Sequence, residues 1–277
     1  MNFILAITTF NRLHDLQACL NSWAKTYDQA HHWTVVIADD GSTDGTLDFI
    51  ESFTLSFNVV LIKNDRIGVH QQMNTILEKV NEMPFDFCFK ADDDIEFLKS
   101  GWDNLYYSEA QKTGYHHLVF NDALWATEQQ LEKPVEQGNL VARASLLNAH
   151  GFLYTFTKES LKRVGFFDVA NFGFRGMGHV DFTARMCRAG YNKLQSPFDA
   201  KNSNAFVRAV KSNYTSALPN AWVTSYDAKL REAKTKIIET NDRIFIDIQP
   251  LDQSLYATFL EACLRFSFSD FKEKEAD

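Results

Sequence analysis

The chain has 277 residues, enough for one large domain or two small ones at the usual ~100–200 residues per domain. Hydrophobic residues make up 45% and charged residues 23%, a globular balance that excludes wholesale disorder and collagen-like or coiled-coil chains. With 28 Lys and Arg against 36 Asp and Glu the formal charge is −8, which argues against broad electrostatic binding to nucleic acid.

The run Phe3–Ile7 lacks a basic leader and is too short for a signal segment, and nowhere do 18 apolar residues follow one another, so neither secretion nor a membrane span is expected. Cys19, Cys88, Cys187 and Cys263 lie far apart without a C-x-x-C pair, which favours a reducing, cytoplasmic setting over a disulfide or zinc framework. Short β-branched or aromatic runs predict strands at Phe3–Ile7, Thr34–Ala38, Asn58–Ile62 and Phe85–Lys90. Between them, Leu13, Leu16, Leu20 and Trp23, and later Met73, Ile76, Leu77 and Val80, recur at helical spacing, as βαβ units feeding a mostly parallel sheet require. A helix is expected to end at Phe53, capped by Ser42 or Thr43, and another lies near Leu98–Ala110. Residues 113–148, with Pro134 and Gly138, read as an irregular excursion with one strand at Leu118–Asn121. A strand at Gly151–Thr157, a helix at Lys158–Val164, a flexible glycine-rich loop at 172–178 and a helix at His179–Ala189 follow. Helical patterns return at Tyr226–Thr240 and Ser254–Phe268 around a strand at Ile244–Ile248, and the charged tail 271–277 is expected to fray. The apolar stripe Tyr256, Phe259, Leu260 and Cys263 reads as core or a homodimer seam, ahead of peripheral membrane association.

Four polar clusters follow the predicted strands: Thr8-Thr9-Phe10-Asn11-Arg12, Asp39-Asp40-Gly41-Ser42-Thr43-Asp44, Asn64-Asp65-Arg66-Ile67-Gly68 and Asp92-Asp93-Asp94. The carboxyl ends of strands in an open α/β sheet are where ligands bind, so four clusters there point to one site. Three adjacent carboxylates repel unless a cation neutralises them, and hard oxygen ligands favour Mg²⁺ or Mn²⁺; the plain alternative is an exposed acidic turn before a helix. At the second strand end, an Asp can accept the N–H of a planar heterocycle while Phe10 supplies an apolar face.

In this order and spacing the four motifs, with Asn74 beyond the third, resemble family 2 glycosyltransferases of the GT-A fold over roughly residues 1–190. The resemblance implies an α/β, Rossmann-like mixed sheet flanked by helices, with residues 1–110 binding a nucleotide sugar and 111–225 shaping the acceptor side. Residues 226–277 would form a C-terminal helical extension. It also implies a UDP-sugar donor, a divalent Mn²⁺ or Mg²⁺, inversion at the anomeric carbon, and a saccharide or lipid-linked acceptor. By the same resemblance Thr8, Phe10 and Asp39 line the base, and Arg66 lies near the base or phosphates. Arg12 and Asp40 complete the nucleotide-binding set. Asp92 and Asp93 contact ribose or metal, with Asp94 the principal metal ligand and Asp92 its companion.

Family members commonly carry a Glu-Asp pair after a glycine-rich loop, and this chain departs from that pattern. Aligned on Asp181, Arg185 and Gly190, the pair is replaced by Gly178 and His179. The general base is then either Asp181 or His179; alternatively Asp181 only pairs with Arg185 one helical turn on. His31-His32 and His116-His117 read as surface histidines, and Lys201, Arg208 and Lys211 as solvated or phosphate-reaching. Two rivals are a catalytically silent sugar-nucleotide-binding module and a nucleotidyltransferase, the latter disfavoured because Thr8–Arg12 has no glycine.

Overall fold

The computed structural model describes residues 1–124, 130–210 and 231–251. Along β1 (Asn2–Thr9) successive side chains point to opposite faces, so Phe3, Leu5 and Ile7 enter one apolar layer and Ile4 and Ala6 the other. A strand apolar on both faces has to be covered on both, and β1 sits at the sheet centre. The order is β3 (Val59–Lys63), β2 (His32–Asp39), β1, β4 (Phe87–Asp92) and β8 (Leu153–Phe156); the first four are parallel and β8 is antiparallel to β4.

One layer is closed by α1 (Leu13–Thr26), α2 (Thr46–Phe53) and α4 (Trp102–Thr113), through Leu16, Leu20, Trp23, Ile50, Trp102 and Tyr106. The other is closed by α3 (Val69–Glu82), α5 (Lys158–Val164) and α7 (Gly178–Arg188), through Met73, Ile76, Leu77, Leu161, Phe182 and Met186. Each such side chain, fully buried, contributes about 1.5–3 kcal/mol. All four expected strands and both apolar crossover patterns therefore appear in the structure. Helix α5 has the expected bounds, closed at its start by a capping box between Thr157 and Ser160.

Several expectations need correction. Before α4, β5 (Ile95–Phe97) turns aside to pair with β10 (Val207–Ala209), so the helix expected near Leu98 starts at Trp102. The excursion contains a hairpin of β6 (Gln130–Gln137) and β7 (Leu140–Ala144), with β9 (Asp199–Ala200) added to β7. Leu118–Asn121 makes one bridge, Val119 to Tyr154, yet backbone bonds from Phe120 to Leu153 and from Thr155 to Leu118 bind it to β8. A short helix, α6 (Val169–Phe172), leads into the glycine-rich segment, which is a closely hydrogen-bonded turn. His117 is fully buried, its ring between Thr155 O at 2.9 Å and Thr183 Oγ1 at 3.0 Å, and His116 stacks on Tyr191. His117 is therefore not a surface histidine, while His116 is half-buried. Neither Ser42 nor Thr43 caps α2; Ser42 Oγ accepts from Asn11 N, and Asp44 holds Thr46 instead. Lys201 and Arg208 pair at the surface with Glu136 and Glu96.

Residues 231–240 are helical, and Ile246 bridges to Gly165 where a strand is expected. The remainder of Tyr226–Thr240, Lys211, the Ser254–Phe268 pattern with its apolar stripe, Cys263 and the tail lie outside the described residues. Among the described residues no helix is long and apolar enough to cross a membrane, and Cys19, Cys88 and Cys187 are free and buried.

Candidate active site at the carboxyl rim of the sheet

Parallel strands in register end on one edge. Thr8 stands opposite both Ala38 and Asp92, and Thr9 opposite Asp39, which brings the first, second and fourth motifs together. Asp39 is 1% exposed; its Oδ1 accepts from the backbone N–H of Gly41 at 3.0 Å and Ser42 at 2.8 Å, while its Oδ2 is buried with no hydrogen-bond partner. Such an oxygen is an acceptor waiting for a donor. Asp40 has a different task. Its two oxygens accept from Ile67 N at 2.7 Å and Gly68 N at 3.0 Å, fixing the third cluster to the second strand end, and burial pushes its carboxyl above the usual range. Arg66 lies 3.8 Å over the half-buried Phe10 ring, in a left-handed conformation (φ 55°) that side chains seldom adopt. Asn74 clips Phe167 through both backbone groups.

The triple acid run is largely neutralised from within. Asp93, 2% exposed, accepts from Thr9 Oγ1 at 2.8 Å and Arg12 NH1 at 2.5 Å, and burial still lifts its carboxyl to about 7. Asp94 accepts from Arg12 NH2 at 2.8 Å; burial, then the charge of Asp92, raises it. Asp92, at the strand end, pairs with the buried Lys90, which also donates to Gly151 O at 2.9 Å. Arg12 Nε also meets Asp15 at 3.2 Å, so four carboxyl groups share two cations. Asp94 Oδ1 is buried and has no partner.

The second half of the site is set by Gly151, where His179 packs so tightly that a Cβ there would lie 3.0 Å from the ring. The His179 Nε2 donates to Ala149 O at 3.2 Å, because a carbonyl can only accept; Nδ1 then carries the lone pair and accepts no hydrogen bond from the described residues. Burial, then the charge of Lys90, pushes the imidazole down to about 4. Asp181 is placed otherwise. It is 3% exposed and its Oδ2 accepts from Arg185 Nε at 2.7 Å, while the guanidinium also donates to Val164 O and Phe166 O. The helix-turn ion pair is thus present, buried, and ties α7 to the end of α5. Gly178 has its own reason: a Cβ there would fall 2.5 Å from His70 Nε2, so His70 fills the space that a side chain at 178 would need. The His70 ring is held by Gly173 O at 2.7 Å, and burial pushes it down to about 3.

A family model described as Glycosyl transferase family 2 matches residues 4–175, 172 of 277 residues, spanning β1 through the glycine-rich segment. The chain is a family 2 glycosyltransferase. No curated protein sequence matches this family 2 chain. Among solved structures, S. aureus TarS superposes with a TM-score of 0.58 at 17% identity, covering 98% of this chain and 44% of TarS. The chain therefore spans less than half the length of that protein. The Pyrobaculum calidifontis mannosyltransferase PcManGT, solved with GDP-Man and Mn²⁺, gives 0.57 at 15% identity over 95% of this chain and 75% of its own. GalNAc-T7, solved with UDP, GalNAc and Mn²⁺, gives 0.56 at 13% over 72% and 42%. These likenesses establish the GT-A fold for the family 2 chain.

The donor set fits a hard dication. Among the described residues no three His, Cys, Asp or Glu side chains converge on a common point. Asp92 and the unpartnered Asp94 Oδ1 nonetheless supply the one or two carboxylates with which Mg²⁺-like ions bind when substrate phosphates complete the shell. Lys90 and His70 also belong to the site, outside the four sequence clusters. Lys90 alone carried a signal, as a charge inside the otherwise apolar Phe87–Ala91 run.

Proposed function

We propose that this chain is a metal-dependent, inverting transferase moving a hexosyl or N-acetylhexosaminyl group from a UDP-sugar to a hydroxyl of a saccharide or lipid-linked acceptor. The setting we assign is polysaccharide or glycoconjugate synthesis on the cytoplasmic side, at the membrane face where the acceptor is lipid-linked. The observation that carries this reading is a pair of buried, unpartnered carboxylate oxygens on one rim, Asp39 Oδ2 and Asp94 Oδ1. The first suits the N–H of a nucleobase, the second a cation beside the diphosphate.

In this reading Asp39 Oδ2 accepts the base N–H, with Thr8 beside it, and Phe10 and Arg66 hold the ring face. Arg12 and Lys90 keep Asp92, Asp93 and Asp94 in place. Asp92 and Asp94 are the residues that would hold a dication, which would supply charge stabilisation to a departing diphosphate. His179 Nδ1 takes the acceptor hydroxyl proton as the acceptor oxygen bonds to the anomeric carbon and the sugar–phosphate bond breaks. We assign the base to His179 because Asp181 is engaged with Arg185 and because the imidazole is held in its neutral form.

The test is UDP release from a panel of UDP-sugars with Mn²⁺, with GDP-mannose as control. Turnover by the wild type that falls roughly 10²–10⁴-fold in His179→Ala supports the assignment. One observation favours a second reading, a sugar-nucleotide-binding module without turnover: no carboxylate stands at 178 or 179. Tight UDP binding with no release from any donor, with or without acceptor, selects it.

A further inference from the structure

One buried charge lies outside the reaction just described. Lys234, on the helical stretch 231–240, is 6% exposed, and its Nζ donates to three backbone carbonyls: Phe172 O at 2.6 Å, Arg175 O at 2.8 Å and Gly176 O at 3.2 Å. An ammonium has three N–H groups, and three carbonyls of a single turn meet them. Carbonyl dipoles aimed at one point repel each other, and a buried ammonium without partners is costly, so each side makes the other tenable. The turn is unusual in its backbone as well. It is left-handed at Gly173 (φ 64°), Gly176 (φ 79°) and Met177 (φ 60°), and at the non-glycine Met177 that conformation costs about 1–3 kcal/mol unless its surroundings enforce it. The next residues are Gly178 and His179, the first turn of α7. The same stretch seats Ile238 among Phe172, Met177, Val180 and Ala184, and Ile238 O accepts from Arg188 at the far end of α7.

We propose that Lys234 is a positioning residue. Its ammonium pins the 172–178 turn in the conformation that sets His179 against Gly151 and Lys90, so a side chain far beyond the matched residues 4–175 completes the transfer site. The inference rests on the transfer reading for its effect on rate, while the pin itself is open to a test that needs no activity.

The experiment compares wild type, Lys234→Met and Lys234→Ala by amide hydrogen exchange and by UDP release, with and without methylammonium chloride against sodium chloride at equal ionic strength. The expected result is loss of protection at 173–180 in both variants, with β1, β2 and β4 unchanged. We expect kcat to fall about 10–100-fold while donor KM stays within about threefold. Methylammonium, small enough to enter the emptied carbonyl cage, should restore protection and part of kcat in Lys234→Ala alone. Unchanged exchange at 173–180 would overturn the pin. So would loss of protection throughout both variants, which marks a general stability role, or failure of methylammonium to restore the turn. A wild type that releases no UDP defeats the transfer reading only; exchange with and without methylammonium then decides the pin.

Discussion

At the ends of β1, β2 and β4 every acidic side chain has a counterpart: Arg12 holds Asp93 and Asp94, Lys90 holds Asp92, and backbone amides hold Asp39 and Asp40. At the start of α7 the acids are replaced by Gly178 and His179, and the ground is held by two neutral imidazoles and a fitted glycine. The first half is a charged rim whose ion pairs can be exchanged for those of a ligand. The second relies on shape, since the His70 ring occupies the space that a side chain at 178 would need and the His179 ring packs against Gly151. Placement of charge therefore belongs to the strand ends, and placement of His179, the proton acceptor we propose, to packing.

The largest effect should come from the one full ion pair in the second half. Asp181→Asn leaves the buried Arg185 guanidinium facing neutral oxygens alone, without the carboxylate that balances it, and denaturant unfolding should show a loss of about 3–5 kcal/mol. Turnover per folded molecule should change far less than in His179→Ala. The reverse pattern would move the base to Asp181.

Next comes pH. His117 and His179, held near 4, and His70, held near 3, are neutral when folded, whereas unfolded histidines titrate near 6.5. Between those values the unfolded chain binds protons that the folded chain refuses. Each ring thus contributes stability that is complete above about pH 6.5 and drains away as pH falls toward 4, by on the order of 3 kcal/mol for His117, whereas the buried Asp93 and Asp199 carboxyls, lifted to about 7, act in the opposite sense over the same range. Chemical denaturation of wild type and His117→Gln across that range should show the His117 share of the decline as their difference. A stability difference between wild type and His117→Gln that does not change with pH would contradict the buried neutral His117 ring.

A smaller effect sharpens the same contrast. Gly178→Ala should cost about 1–3 kcal/mol by overpacking against His70, and the cost should largely vanish in a His70→Ala background. Additive effects in the double variant would remove the fit between the two positions.

The strands and their rim were readable because β1, β2 and β4 are apolar on both faces and end abruptly in polar clusters, leaving the chain few other ways to lie. The gathering of Asp39 and Asp92–Asp94 on one edge followed from parallel topology. What escaped was set by contacts distant in sequence. His117 looks polar and exposed among residues without periodicity, and it is buried by groups distant in sequence, Thr155 and Thr183 through hydrogen bonds across 38 and 66 residues and the rings of Tyr154 and Phe182. The partner of Gly178 stands more than a hundred residues earlier, and Lys234 serves a turn about sixty residues upstream, so neither leaves a local pattern. The internal neutralisation of the acid run was likewise hidden, although Arg12 lies in the first motif and Lys90 two residues before the fourth.

The account stands on the rim's use of two carboxylates to hold a dication against a diphosphate. Titration calorimetry of UDP into wild type and into the Asp92→Asn/Asp94→Asn double variant, each with and without Mn²⁺, tests it directly. The wild type should bind UDP about tenfold or more tightly when Mn²⁺ is present, and the double variant should bind it equally with and without the metal. Equal affinity in the wild type under both conditions would contradict it.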